Sequence, residues 1–402
     1  MGNGARVAAI IAVIGALLGL VFSTYSTLDY AAHLDRQLHD VHCSVIPGAP
    51  AKEEAEGCRA ALYSPYSAIM KDELWGGVPI SLFAQGAFSF LAGFAFFLAV
   101  AGGRASKTAA SFFAAVSVTP FIVSVAMFVI SVTQLNTVCE TCAGIYISSI
   151  LVAMGGMLGL MGLRHRQRGL IVLPLVWLVV LGIFTLMPTA VYAATVPDES
   201  PYLEQCGKLA GVKAPPGLLV SIPGKNAKRP STFFEDPLCS TCKSVHMRLA
   251  HDGVLDRMDI TLVMMPLDSK CNWMLEQPMH PGACTVSKAV LCGGDRARQV
   301  LEWAYDEQEY LTRAGKKDLQ LGREDEPVMK EVIKERWGAD MIACIDDKAT
   351  DQRLNQHLQY AVDNSVPVST PQIYIGGKRL CDEDTDIGLR FTLRKIAPEV
   401  LP

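Results

Sequence analysis

The 402-residue chain lacks a basic field: its formal net charge is −4, so charge gives no argument for a nucleic-acid partner. No small-residue cleavage site of A-x-A type follows the apolar run Val7–Ser23. That run therefore reads as a retained membrane helix and not as a removed signal. No Ser- and Arg-rich transit segment precedes it, which favours a bacterial inner membrane over an organelle. Charge is also scarce in one half. Up to about Ala194 uncharged stretches dominate, whereas beyond it charges are frequent. Cysteine, by contrast, is plentiful. Twelve cysteines, most of them in the polar half, are many for a reducing cytosol and fit an oxidising compartment.

A helix needs roughly 20 apolar residues to cross the hydrocarbon core. Uncharged runs of that length occur at Val7–Leu28, Leu74–Gly103, Thr108–Val138, Thr141–Leu163 and Gly169–Pro197. Lipid offers no hydrogen-bond partners, so these runs are expected to be helices that satisfy their own backbones. Pro120, Pro174 and Pro188 are expected to bend them. Arg104 and Lys107 fall between spans two and three; Arg164, Arg166 and Arg168 fall between spans four and five. The positive-inside rule makes both links cytoplasmic. The N-terminus is then cytoplasmic and the residues from Asp198 onward lie outside. The loop Asp29–Glu73 and the turn before Cys139 share that outer side.

Two Cys-x-x-Cys motifs result, in two solvents. Cys139-Glu-Thr-Cys142 opens the fourth span, and Cys239-Ser-Thr-Cys242 lies in the polar half. A vicinal dithiol passes two electrons and two protons when it becomes a disulfide. Cys43 and Cys58 stand in the first outer loop. Cys142 and Tyr146 are spaced i, i+4 and share a helix face. Tyr146 could hydrogen-bond a carbonyl there or serve as an interfacial belt tyrosine. Ser64 precedes Pro65, a pairing typical of a helix N-cap and first turn, which stands beside a redox role. Cys139 and Cys142 could also be packing residues or an inert staple.

These residues resemble the vitamin K epoxide reductase family in its bacterial form with a fused thioredoxin-like domain. Three features carry the resemblance: the loop pair Cys43 and Cys58, the run from Cys58 through Ser64 to Trp75-Gly-Gly-Val-Pro-Ile-Ser81, and Cys139-x-x-Cys142 with Tyr146. It implies a four-helix bundle around a quinone (ubiquinone or menaquinone), with a fifth span in the fused forms. The cysteine matching Cys142 would face the quinone. Cys139 would exchange with Cys58, and Cys43 would take electrons from the thioredoxin-like partner. The Cys43–Cys58 gap is wider than the family usually shows, filled by Pro47-Gly-Ala-Pro50 and the charged stretch Lys52–Glu56.

In the polar half, residues 198–216 read as a linker and 217–402 as a domain. Leu218–Ile222, Ser231–Glu235 and Met258–Met265 are strand-like. Cys239–His251 starts a helix, Cys284–Asp363 is largely helical, Thr370–Gly377 is a strand ending in a turn, and Thr385–Ile396 is a last helix. This order resembles the thioredoxin fold in its DsbA-like form. The resemblance implies a cis Pro371 beside the dithiol, with Thr370 offering its backbone to substrate. Cys239, at a helix N-terminus, is expected to be the exposed nucleophile with a lowered pKa, and Cys242 the buried resolving thiol. The Ser-Thr dipeptide between them differs from the Pro-His of strongly oxidising members. A zinc half-site needs a second ligand pair, and Cys271 and Cys284 are too far apart for a standard knuckle.

Six cysteines remain, Cys206, Cys271, Cys284, Cys292, Cys344 and Cys381. Among their 15 possible connectivities Cys271–Cys284 is the leading expectation. Met274, Met279 and His280 lie near that pair and read as a loop with incidental soft side chains. No metal is expected. The fold expectation is thus an all-α membrane bundle, residues 1–197, followed by an α/β thioredoxin-fold domain with a helical insertion. The functional expectation is a membrane thiol–disulfide oxidoreductase that makes disulfides in reduced secreted or periplasmic proteins and passes electrons to membrane quinone. A quinone or quinone-epoxide reductase, a membrane-coupled disulfide isomerase and a stapled non-enzymatic receptor are the alternatives.

Overall fold

The computed structural model describes residues 3–32, 61–134, 139–161, 170 and 172–402. The chain divides into two compact units, Met1–Asp198 and Glu199–Pro402.

The first unit holds five helices long and apolar enough to cross a membrane. They are α1 (Asn3–Ala31), α2 (Ile80–Ala101), α3 (Lys107–Thr133), α4 (Glu140–Met161) and α5 (Leu173–Thr195). Small residues bring α1 and α4 together. A Cβ on Gly15 would lie 2.7 Å from Leu151 Cβ, and one on Gly155 would lie 2.7 Å from Ala12 Cβ. Between helices in lipid, such close approach supplies the van der Waals contact that the hydrophobic effect does not. An aromatic cluster of Phe90 and Phe94 on α2 with Phe112 and Phe113 on α3 fills the opposite side. Helix α5 has no fully buried residue. It leans on α2 through Trp177, edge-on to Phe94 at 5.1 Å, and Phe184, 6.3 Å from Phe90.

Span two starts later than its hydropathy suggests. Leu74–Pro79 is a turn leading into β2 (Val78–Pro79), which pairs with β1 (Ala68–Ile69). Gly76 and Gly77 take φ of 77° and 71°, a left-handed turn that other residues resist. Trp75 is buried there, and Tyr30 of α1 donates to the Gly76 carbonyl at 2.5 Å. Pro120 and Pro188 do lie inside helices, but Pro174 sits in the first turn of α5, where it needs no bend.

The second unit is built on a five-stranded sheet of β3 (Val220–Pro223), β4 (Arg229–Glu235), β5 (Met258–Met264), β6 (Gln372–Ile375) and β7 (Lys378–Arg379). The spatial order is β3-β5-β4-β6-β7, with only β4 and β5 parallel. The parallel pair is joined by α6 (Ser240–His251). Six helices intervene between β5 and β6: α7 (Ala283–Cys292), α8 (Ala297–Asp306), α9 (Gln308–Gln320), α10 (Pro327–Trp337), α11 (Ala339–Ile345) and α12 (Lys348–Asp363). A final helix, α13 (Leu389–Ile396), follows. Side chains alternate across a strand. Accordingly Phe233, Leu262 and Met264 pack with α6 and the insert, while Phe234, Val263 and Met265 pack with Leu358 and Ala361 of α12. This is the thioredoxin-type α/β arrangement with a helical insertion.

Three disulfides fasten this unit: Cys206–Cys381, Cys271–Cys284 and Cys292–Cys344. The expected Cys271–Cys284 bond is among them. The stretch read as a linker is different from a free tether. Cys206 is bonded to Cys381, Leu209 N–H donates to Gly377 O at 3.0 Å, and Asn364 Oδ1 accepts from Gly211 and Val212. The composition of 198–216 is loop-like, but its cysteine and backbone bind it to the sheet edge.

Two outcomes follow from packing. Gly155→Leu forces α1 and α4 apart and costs at least 1–3 kcal/mol by order of magnitude; the thermal midpoint in detergent should fall, whereas Gly159→Leu, with open space at its Cβ, should leave it nearly unchanged. The second concerns His357, wholly buried on α12. Its Nδ1 accepts from Met264 N–H and its Nε2 faces Leu218 O, both at 3.0 Å. Burial lowers its pKa from 6.5 to about 4. The unfolded chain therefore binds the extra proton, so the stability is present above pH 6.5 and is lost as pH falls toward 4. Up to about 3 kcal/mol is at stake; urea unfolding of the wild type at pH 7 and 4.5 should show the drop, and a His357→Gln variant should show a smaller one.

Candidate functional site

In the second unit the sheet delivers Cys239 to the N-cap of α6, in extended backbone, so that its sulfur stands where the helix N–H groups point outward. Thr370–Pro371 is a cis peptide bond. Cys239 Sγ lies 3.4 Å from Thr370 O and donates to it when protonated. The two elements expected to form the site, the dithiol and the Thr-Pro turn, are thus brought together. Cys239 is not the exposed thiol expected: with its sulfur against the Thr370 carbonyl it is 6% exposed, and Cys242 is wholly buried. The hydrogen bond from Cys242, outweighing burial, lowers the Cys239 pKa from 9.0 to about 6. Burial, then the hydrogen bond with Cys239, pushes the Cys242 thiol well above 9.0. One cysteine is therefore a thiolate at neutral pH, and the other keeps its proton.

The turn before Cys239 is held by residues the sequence pattern did not single out. Asp236, with no exposed surface, accepts from Leu238 N–H through Oδ1 and from Leu267 N–H through Oδ2, each at 2.7 Å. Its Oδ2 also meets His280 Nδ1 at 2.7 Å. From the insert, Gln308 Nε2 donates to the carbonyls of Pro237 and Cys239 at 3.1 and 3.0 Å. Beneath Cys242, buried Glu235 accepts from Tyr305 at 3.0 Å, and burial raises its pKa. Asp236-Pro237 directly before the motif was the available signal for the first of these. Gln308 and Tyr305 lie some 70 positions away and left none. His280 is engaged by a carboxylate, which accounts for it without a metal. Among the described residues the one metal-like grouping is Cys206, Cys381 and Glu383, and its two cysteines are bonded to each other.

In the first unit Cys139 stands immediately before α4, buried, with Sγ 3.0 Å from Thr141 Oγ1. Cys142 is half-buried in the first turn. Tyr146 follows one turn later, with Phe128 of α3 edge-on to it at 6.0 Å. The Cys142 thiol and Tyr146 phenol share one face of α4, with Phe128 of α3 beside them, a set of two donors and an aromatic ring that suits a flat ring bearing carbonyl groups. Ser64 is buried, but it closes a short helical turn and does not start a helix: its Oγ donates back to Ala61 O at 2.8 Å, and its carbonyl accepts from Lys71 Nζ at 2.6 Å. The N-cap expectation fails because residues 61–63 are helical before it, not after. Cys43 and Cys58 lie outside the described residues. A groove of about 680 Å³ between α2 and α5, lined by Gln85, Ser89, Phe184 and Tyr192 among others, includes neither Cys142 nor Tyr146.

A low-pKa thiol beside a fully buried one and a cis-proline turn, in a thioredoxin-type sheet, are the features of a thiol–disulfide oxidoreductase. Residues 10–157 match the vitamin K epoxide reductase family. No curated protein matches the chain. Two solved structures are similar to it. One is a Pseudomonas syringae protein assigned as a protein-disulfide isomerase, 16% identical, covering 43% of this chain and 96% of its own with a TM-score of 0.32. The other is reduced DsbA1 from Neisseria meningitidis, 16% identical, covering 47% of this chain and 96% of its own with a TM-score of 0.31. The fold assignment rests on the strand order and site given above.

The acidity of Cys239 has a direct readout. In the reduced full-length protein its alkylation by iodoacetamide should rise to half its maximum near pH 6 and be level by pH 8. Cys242 should stay unmodified throughout; a midpoint near 9 for Cys239 would contradict the geometry.

Proposed function

We propose that the chain oxidises pairs of thiols in reduced secreted or periplasmic proteins and passes the electrons to a membrane quinone. The observation that carries this reading is the presence of two dithiols of unequal surroundings. One sits at the mouth of a membrane helix in a vitamin K epoxide reductase family domain, and the other sits beside a cis-proline in a thioredoxin-type domain.

The chemistry is a sequence of thiol–disulfide exchanges, each through a mixed disulfide. A substrate thiolate attacks Cys239 Sγ; a new S–S bond forms, the Cys239–Cys242 bond breaks, and Cys242 leaves as a thiolate that takes a proton. A second substrate thiolate then attacks the first and releases Cys239, whose low pKa makes it a good leaving group. The substrate has lost two electrons and two protons, and the Cys239–Cys242 pair has gained them. Cys239 thiolate next attacks the Cys43–Cys58 disulfide and Cys242 resolves the mixed bond. Cys58 thiolate then attacks Cys139, Cys142 leaves as a thiolate that takes a proton, and Cys43 resolves the Cys58–Cys139 bond to restore Cys43–Cys58. Cys142 and Tyr146 are the residues that would hold a quinone, which when bound supplies the capacity to accept two electrons and two protons. Ser64 has no assigned step; its place in the backbone turn suits a role in positioning the first outer loop.

In this reading the N-terminus is cytoplasmic, the links carrying Arg104, Lys107, Arg164, Arg166 and Arg168 are cytoplasmic, and the second unit is periplasmic in a bacterial inner membrane. Fusion raises the local concentration of the soluble dithiol over that of a separate partner.

Single serine replacements test the order of transfer. Cys242→Ser should accumulate a Cys239–Cys43 mixed disulfide, and Cys142→Ser a Cys58–Cys139 one, formed when the Cys139 thiolate attacks the Cys43–Cys58 disulfide and releases Cys43, each cleavable by reductant and visible by peptide mapping. Cys142→Ser should also lower secreted-protein oxidation at least 100-fold, as expected for loss of a covalent step. Undiminished oxidation in that variant would sink the proposal. A Cys239–Cys242 pair found mostly reduced in cells would favour isomerase action instead.

A further inference from the structure

We infer that His280, carried on the disulfide-closed loop Cys271–Cys284, is a positioning residue that keeps Cys239 a thiolate by cancelling the negative charge of Asp236. The inference rests on Cys239 being the nucleophile, as in the preceding reading, but not on any route through the membrane.

Asp236 presents a conflict. Its buried carboxylate fixes the turn that carries Cys239, accepting from Leu238 and Leu267, and its own carbonyl accepts from Cys239 N–H at 3.1 Å. A carboxylate so close opposes a second negative charge on sulfur, and its field does raise the Cys239 pKa. Its two oxygens are committed to the backbone N–H groups of Leu238 and Leu267. The imidazole of His280 answers this from a different part of the chain. Its Nδ1 is 2.7 Å from Asp236 Oδ2, while the ring keeps partial contact with solvent.

The loop holds the ring in place by several bonds. The N–H groups of Met279 and His280 both donate to Leu267 O at 2.9 Å, Gly282 N–H donates to Asp268 Oδ2 at 2.8 Å, and Cys271–Cys284 closes the loop. The charged groups that act on His280 are Asp236, Cys239 and Asp268, all acidic. Burial works against its charge, but the bond to Asp236 and these fields outweigh burial and raise its pKa above 6.5. The imidazolium paired with Asp236 then stands behind the Cys239 turn at pH values above the Cys239 pKa near 6 and below the raised pKa of His280. Members with Pro-His between the cysteines place a histidine inside the motif; here Ser240-Thr241 occupies that place, and His280 reaches the same turn through space.

The test uses reduced full-length protein in detergent, with Cys239 alkylation by iodoacetamide followed against pH by peptide mass spectrometry. His280→Gln keeps a side-chain N–H for Asp236 but removes the charge. It should move the Cys239 midpoint up by at least about one unit, slowing alkylation about 10-fold below pH 6. His280→Arg, which retains the charge, should restore the wild-type profile. An unchanged profile in His280→Gln, with the three structural disulfides intact, overturns the inference. So does an equal upward shift in His280→Arg, because the loss would then follow from shape and not from charge. Loss of quinone-linked turnover with a normal Cys239 profile would instead count against the membrane relay alone.

Discussion

The sulfur of Cys239 can react only as a thiolate, and the second unit is arranged around the cost of holding that charge in a nearly buried place. The sheet puts Cys239 at the start of α6, the Thr370–Pro371 turn meets its sulfur, and Cys242 donates from below. Removing an ion from water costs several kcal/mol unless dipoles and hydrogen bonds replace the solvent. Here a helix terminus and the Cys242 thiol replace it, while the His280 imidazole meets the carboxylate of Asp236 behind the same turn. Burial likewise raises the pKa of Cys242 and of Glu235. Two cysteines one turn apart thus differ in acidity by environment alone.

The membrane unit meets a different constraint. Lipid does not drive helices together, so contact must come from shape. Gly15 and Gly155 allow α1 and α4 to touch, and α4 carries Cys139 and Cys142 at its mouth. The Tyr30–Gly76 bond and the buried Trp75 tie the C-terminal end of α1 to the entry of α2. Rigid packing on that side fixes the starting point of α4, and with it the sulfur pair. Helix α5 contributes aromatic contacts to α2 but buries nothing fully.

Much of this was readable from composition and spacing. Five apolar runs gave five spans, because lipid excludes other backbone solutions. Strand, dithiol helix, strand, helical insert and Thr-Pro strand gave the second unit, because period-two burial and the Cys-x-x-Cys helix start leave strong local marks. What was hidden depends on long-range contact. The Gly76-Gly77 turn shortened span two because hydropathy does not report φ. Residues near 206 looked like a tether until Cys206 found Cys381. His280 looked like an incidental loop residue, since nothing local shows that it meets Asp236, 44 positions earlier. The same holds for Gln308 and Tyr305, which reach the site from the insert.

The central claim is that electrons leave the Cys239–Cys242 pair through the membrane cysteines. The most direct measurement starts with fully reduced full-length protein in vesicles and follows the Cys239–Cys242 thiols after quinone is added without oxygen. The account predicts that the disulfide returns, with one quinol formed per disulfide, and that a Cys139→Ser, Cys142→Ser double variant stays reduced. Equal reoxidation in the double variant would contradict it.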